Sequence, residues 1–199
     1  IARAATIQSE TKQILNEVAA AELQQILFSK DNSLLIDELL KLPKSKQNLV
    51  VRYWITQSGF INPSDKKLKH IFSDVVDAGE DSQPLLEWQG AQVRRFQNRL
   101  YIMAPVADHD PSTVINWDGK KALNVPSLGI TINPDQFPQD EQPVTVRFRQ
   151  GGESIKLAKR GSISLKNLFQ EQQIPPWMRS RLPLIFVEDK LVKVIGLKQ

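Results

Sequence analysis

Between Val144 and Arg149 the side chains alternate strictly, with Val144, Val146 and Phe148 set against Thr145, Arg147 and Arg149. A period of two places neighbours on opposite faces of a strand. One face must therefore be buried, and two arginines share the other, about 6–7 Å apart. A strand of this kind needs a layer to cover its apolar face, and the residues after it can supply one. Ser154–Leu157 reads as a second short strand, and Lys159, Arg160 and Gly161 as a basic turn. Ser162 or Ser164 can cap a helix holding Leu165, Leu168 and Phe169, which Pro175 and Pro176 stop. Leu184–Val187, a turn at Glu188 and Asp189, and Leu191–Ile195 complete a hairpin.

Positive charge collects in the same stretch. Residues 144–199 hold eleven Lys and Arg against four acids, a net of +7, whereas residues 1–143 come to −3 and the whole chain only to +4. Segregation of this kind points to a polyanionic partner. Cysteine is absent, which excludes disulfides, thiol catalysis and Cys-ligated zinc. His70 lies among lysines and His109 in a loop, neither with a triad or ligand partner nearby in sequence. Glu80 and Asp81, in a Ser/Gly/Pro loop, read as a cap or solvated turn. No catalytic residue and no metal site is expected. No apolar run nears the roughly 20 residues of a membrane span, and no signal peptide opens the chain. A cytoplasmic location fits.

Upstream, Ile7, Ile14, Leu15, Val18, Ala21, Leu23 and Ile26 recur at helical spacing without Gly or Pro, so residues 1–28 predict one long helix. It starts without Met or an N-cap, as if inside an element leading from a further N-terminal domain. Residues 29–105 predict a helical domain. Its parts are a turn at 29–33, an apolar piece Leu34–Leu42, a helix from Ser45 closed by Gly59, and a helix Lys66–Asp77 capped by Ser64. Strands follow at Leu85–Trp88, Ala91–Phe96 and Leu100–Met103. Residues 106–113 have linker composition. Residues 114–199 form the second domain, with turn signals at Pro126, Pro134 and Pro138 and a strand at Ile130–Ile132. The fold class expected is α+β: an α-helical domain with a small β-hairpin or meander appendage, then a small α+β domain with a basic face.

The terminal pattern resembles the C-terminal domain of the tRNA(Ile)-lysidine synthetase family. The matching residues are Val146–Arg149, Gly151–Glu153, Leu165 and Lys166, Leu168–Glu171, Pro175–Arg179, Leu182–Leu184 and Gly196. Arg52–Trp54 with Asn62–Ser64, and Ala78–Asp81 through Arg94, Arg95 and Phe96 to Tyr101, are similar to that family's middle domain. The resemblance implies an ATP-dependent ligase that attaches lysine to cytidine 34 of tRNA(Ile) bearing a CAU anticodon. Its catalysis, with ATP and magnesium, belongs to an N-terminal domain marked by Ser-Gly-Gly-X-Asp-Ser, a motif missing from this sequence. The two domains found here would grip and position the tRNA, including its acceptor stem, and would be inactive alone. The resemblance also admits a homodimer of the parent enzyme.

Candidate tRNA contacts are Arg147, Arg149, Lys159, Arg160, Lys166 and Arg179, which can converge on phosphates. Arg94 and Arg95 add one more, since adjacent strand positions cannot serve one surface; the other can pair with Glu80 or Asp81. Arg179 has a local carboxylate as its other possible partner. Trp177, between Pro176 and Met178, reads as a core plug, with stacking on an exposed base as the other reading. Two rival functions stand beside tRNA recognition: a general RNA-binding module, and a protein-interaction domain whose basic face meets an acidic partner.

Overall fold

A computed structural model of the chain describes residues 2–79, 82–125, 128–136, 144–158 and 160–197. Glu80, Asp81, Pro126, Pro138 and Lys159 lie outside the described residues. The chain divides into two compact units, Ile1–Val106 and Ala107–Gln199.

The first unit opens with helix α1, Ala2–Ile26. Only its C-terminal end is buried, through Ala19, Leu23 and Ile26, while Ile7, Ile14, Leu15 and Val18 remain 37–60% exposed. At about 100° per residue these form two neighbouring stripes, of which one packs. Leu27–Phe28 (β1) and Ser33–Leu35 (β2) follow, joined by a turn in which Asn32 takes φ 57° and Asp31 accepts from Ser33 Oγ at 2.6 Å. Helices α2 (Ile36–Lys41), α3 (Lys44–Gln57) and α4 (Asp65–His70) come next, and α4 runs on as a π-helical turn, Ile71–Val76. Ser64 caps α4 by accepting from Lys67 N, as expected. Strands β3 (Leu85–Trp88), β4 (Ala91–Phe96) and β5 (Arg99–Met103) complete the unit.

The fold is α+β, as expected, and these strands belong to a larger sheet than a hairpin or meander. They join the early pair in one antiparallel five-stranded sheet, order β1-β2-β5-β4-β3, with Leu34 opposite Leu100. The sheet and helices share a single core that includes Val50, Trp54, Ile55, Ile71, Val75, Val93 and Leu100. Strands of two and three residues are too short to show alternation, which is why Leu27 and Phe28 read as helix end, residues 29–33 as a turn, and Leu34 and Leu35 as the start of an apolar piece. Two buried indoles tie loops to this core: Trp54 Nε1 donates to Asn32 O at 2.8 Å, and Trp88 Nε1 to Ile61 O at 2.6 Å. Gly59, with φ +83°, lets the chain turn off the end of α3.

The second unit contains β6 (Ile115–Trp117), β7 (Leu123–Val125), β8 (Ile130–Ile132), β9 (Val144–Arg147), β10 (Ser154–Leu157) and β11 (Gly161–Ser164). Helices α5 (Leu165–Glu171) and α6 (Pro176–Arg179) precede the hairpin of β12 (Leu184–Val187) and β13 (Lys190–Val194). A four-stranded antiparallel sheet runs β13-β12-β9-β6, with β7–β8 and β10–β11 as separate ribbons. Val144, Val146 and Phe148 enter one core with Trp117, Ile132 and Ile185, and the helical layer forms another with Phe169, Leu184 and Phe186. Three details differ from expectation. Gly161–Ser164 is a strand, leaving Ser164 as the cap of α5. Pro175 and Pro176 also open α6, where a missing N–H costs nothing. Residues 107–111, read as linker, are bound to this unit: Arg181 donates to Ala107 O at 2.7 Å, Gln150 to Pro111 O at 3.3 Å, and the His109 ring meets Phe148 edge-on at 4.3 Å.

Arg95 shows how strongly the first unit uses its cations. Its Nη1 donates to Val76 O and Ala78 O at 2.5 Å each, and Nε to Gln97 O at 3.1 Å, which closes the end of the π-helical turn. Arg95→Leu should destabilise this unit by about 1.5–3 kcal/mol, the cost of losing hydrogen bonds from a charged donor. Denaturant titration reads this directly, and an unchanged midpoint would refute the bracing role.

Candidate nucleic-acid interface

The candidate interface is built on β9 and the loop beyond it. Arg147 ends β9 and Arg149 follows in the loop, and both turn to the helical core: the Arg147 guanidinium lies over Phe186 at 4.7 Å and that of Arg149 over Phe169 at 6.0 Å. Arg147 is also engaged by its own unit. Its Nε donates to Thr145 Oγ1 at 2.9 Å, and its terminal nitrogens to Glu188 O at 3.1 Å and Asp189 Oδ1 at 3.3 Å. These contacts brace the β12–β13 turn. Arg149 differs, because its Nε is buried without a hydrogen-bond partner among the described residues.

Arg179 approaches from α6. Its Nε donates to Ile174 O at 2.8 Å, and burial, then the nearby charge of Arg149, lowers its pKa. Two guanidiniums near enough to repel, in a partly desolvated setting, favour an anion between them. Of the other expected contacts, Lys159 lies outside the described residues. Arg160 holds Glu171 through two bonds, 2.7 and 3.1 Å, which raise its pKa. Lys166 is exposed on α5. In the first unit Arg94 and Arg95 do lie on opposite faces: Arg95 meets the carbonyls described above, and Arg94 sits half-buried near Glu87, its pKa lowered by burial.

Trp177 is not a core plug. It is half-buried and belongs to neither core of its unit, whereas Trp54, Trp88 and Trp117 are at most 8% exposed. The four-residue α6 is too short to carry a buried face, and none of its residues is buried.

Beside the arginines, Gln150 N and Gly151 N both donate to Glu153 Oε1, at 2.6 and 2.9 Å. Gly151 and Gly152, at φ +117° and +86°, supply the backbone turn that aims these amides, a conformation other residues rarely adopt. A shallow cavity of about 410 Å³ opens here, lined by Arg147, Gln150, Gly151, Glu153 and Phe186. Burial alone would raise the Glu153 pKa, but the amides of Gln150, Gly151 and Glu153 itself, with Arg149, together bring it below its ordinary 4.5. The stabilisation is thus present above pH 4.5 and disappears as pH falls through the lower folded-state value. Glu153→Gln should therefore unfold more readily than the parent chain at pH 7 and converge with it under acid. A stability difference that stayed constant from pH 7 to pH 2 would contradict the ionised nest.

Sequence reasoning passed over one surface, the side of α1 facing α3. Lys12 with Asn16 and Tyr53 with Gln57 are each four residues apart, the spacing that shares a helix face; that was the available signal.

Comparison with known proteins covers both units. The domain described as the TilS substrate binding domain matches residues 34–101, and the TilS substrate C-terminal domain matches residues 144–199. A tRNA(Ile)-lysidine synthase of Coxiella burnetii is 36% identical over 98% of this chain and 45% of its own length. Proteins of the same name from Serratia proteamaculans and Legionella pneumophila are each 33% identical over 98% of the chain and 46% of their own lengths. The chain thus spans about half the length of the curated relatives it matches. With the substrate-binding domain followed by the C-terminal domain in one polypeptide, the chain belongs to the tRNA(Ile)-lysidine synthase family.

Proposed function

We propose that this chain grips and positions tRNA(Ile) with a CAU anticodon for a cytoplasmic ligase that joins lysine to cytidine 34 at the expense of ATP. The observation that carries the reading is a pair of half-buried arginines, Arg149 with its Nε buried and without a hydrogen-bond partner among the described residues, and Arg179 within reach of its charge, a combination suited to a backbone phosphate. The description of one matched domain as substrate binding, and the names of the relatives, supply the substrate class. Lysine, ATP and magnesium would be handled by a domain bearing Ser-Gly-Gly-X-Asp-Ser, which these 199 residues do not contain. Contacts far from the reacting base then serve to hold it in place, converting binding energy into alignment.

The test is titration of the chain with tRNA(Ile) and with elongator tRNA(Met) across a salt series. Affinity should fall steeply with salt, by a log–log slope of about −0.7 to −0.9 per phosphate neutralised. Preference for tRNA(Ile) would locate discrimination in the tRNA body, and equal affinity would leave it to the catalytic domain. Arg149→Gln combined with Arg179→Gln should weaken binding about tenfold or more and flatten the slope by about one unit per lost contact. Arg160→Gln, in its pair with Glu171, should change affinity less than about twofold. Absence of tRNA binding by the parent chain would overturn the reading.

A further inference from the structure

A second polar surface lies entirely within the first unit. Along the packing of α1 on α3 runs a groove with two lobes, about 370 and 430 Å³, that share Lys12, Asn16 and Tyr53. The larger lobe adds Arg52, Gln57 and Asn62, and no carboxylate lines it. In the smaller lobe Glu17 already accepts from Gln13, at 3.1 Å. Arg52 is fixed at the edge of the groove by its ion pair with Asp65 and its reach to Pro63 O. Asn62 donates to Thr56 Oγ1 at 2.8 Å, but its Oδ1 is buried without a partner among the described residues.

The chemistry of this surface differs from that of the arginine pair. In the larger lobe the amides of Asn16, Gln57 and Asn62 and the Tyr53 phenol, groups that donate and accept, outnumber the charges of Lys12 and Arg52, while Leu15, Leu49 and the side-chain stems supply an apolar floor. A protein helix would need deeper apolar cups, and a phosphate run would need more cations. An A-form RNA duplex presents a wide, shallow minor groove of 2′-hydroxyls and base edges, which also donate and accept. We infer that the α1–α3 groove docks an RNA duplex by its minor groove. Asn16, Gln57 and the Asn62 carbonyl meet 2′-hydroxyls and base edges, and Lys12 meets a flanking phosphate. The inference rests on the tRNA reading above and assigns its first-unit contact to a face that excludes Arg94 and Arg95.

The test compares the whole chain and its variants on tRNA(Ile), on an RNA hairpin stem and on the same stem made with deoxyribose. Two or three hydroxyl contacts at ordinary hydrogen-bond strength make the ribose stem bind about tenfold tighter. Asn16→Ala with Gln57→Ala should cut that preference to about threefold or less without lowering the melting temperature, since Asn16 and Gln57 are exposed and alanine favours the helix. Lys12→Ala should weaken both stems alike and reduce the salt slope by about one unit. If the parent chain binds no tRNA, the functional reading fails and this inference with it. If the parent binds tRNA while the groove variants keep full affinity and the ribose preference, the groove inference alone is overturned and a protein partner becomes the better occupant.

Discussion

A guanidinium brought near a protein interior must find acceptors or an aromatic face, because burying it unmatched is costly. That requirement organises much of this molecule. Arg95 closes the π-helical turn on three carbonyls. Arg99 binds Asp31 and lies over Phe28, which fixes the β1–β2 turn to β5. Burial pushes the neighbouring Tyr101 hydroxyl up to about 12, against the smaller opposing effect of Arg99, so that the phenol stays neutral in the network. Arg147 braces the β12–β13 turn and Arg160 ties the β10–β11 ribbon to α5. Arginine density therefore marks structural ties as well as binding surface. The binding candidates stand out by having an incomplete set of partners or a like charge close by.

The frame was legible where periodicity was long enough to read. Alternation from Val144 to Phe148 identified both the buried face and the arginine face, and Ser64 and Gly59 marked helix boundaries that the structure keeps. Legibility failed at short elements. Ser33–Leu35 becomes a strand because β5 offers a partner edge, and Leu27–Phe28 pairs in turn with it, a non-local cause that no local pattern carries. Gly161–Ser164 likewise depends on pairing with Ser154–Leu157 across a basic turn.

The candidate site was half legible, for a related reason. Sequence shows which residues are cationic and which alternate on a strand, but the partner of each guanidinium is set by tertiary folding. Glu171 and Asp189 look like ordinary surface acids until α5 and the last hairpin bring them to Arg160 and Arg147. Trp177 was misplaced in the opposite direction. Large aromatics usually bury, and three of the four tryptophans do, yet the fourth stands on a single turn of helix that no core claims.

The two surfaces complement each other in what they can measure. An arginine pair reads charge and is indifferent to sequence and sugar; amides and hydroxyls at a groove read the ribose and base edges but add little long-range attraction. Each alone would be a poor discriminator, the first too general and the second too weak. If both surfaces contact one RNA as proposed, the second contact would form at the effective concentration set by the chain linking the units, and modest contacts would combine into firm binding. A folded tRNA offers phosphates and duplex minor groove in a fixed mutual arrangement. On the proposed reading, discrimination of such an RNA would follow from two different chemistries, and neither unit would need to read a long stretch of sequence.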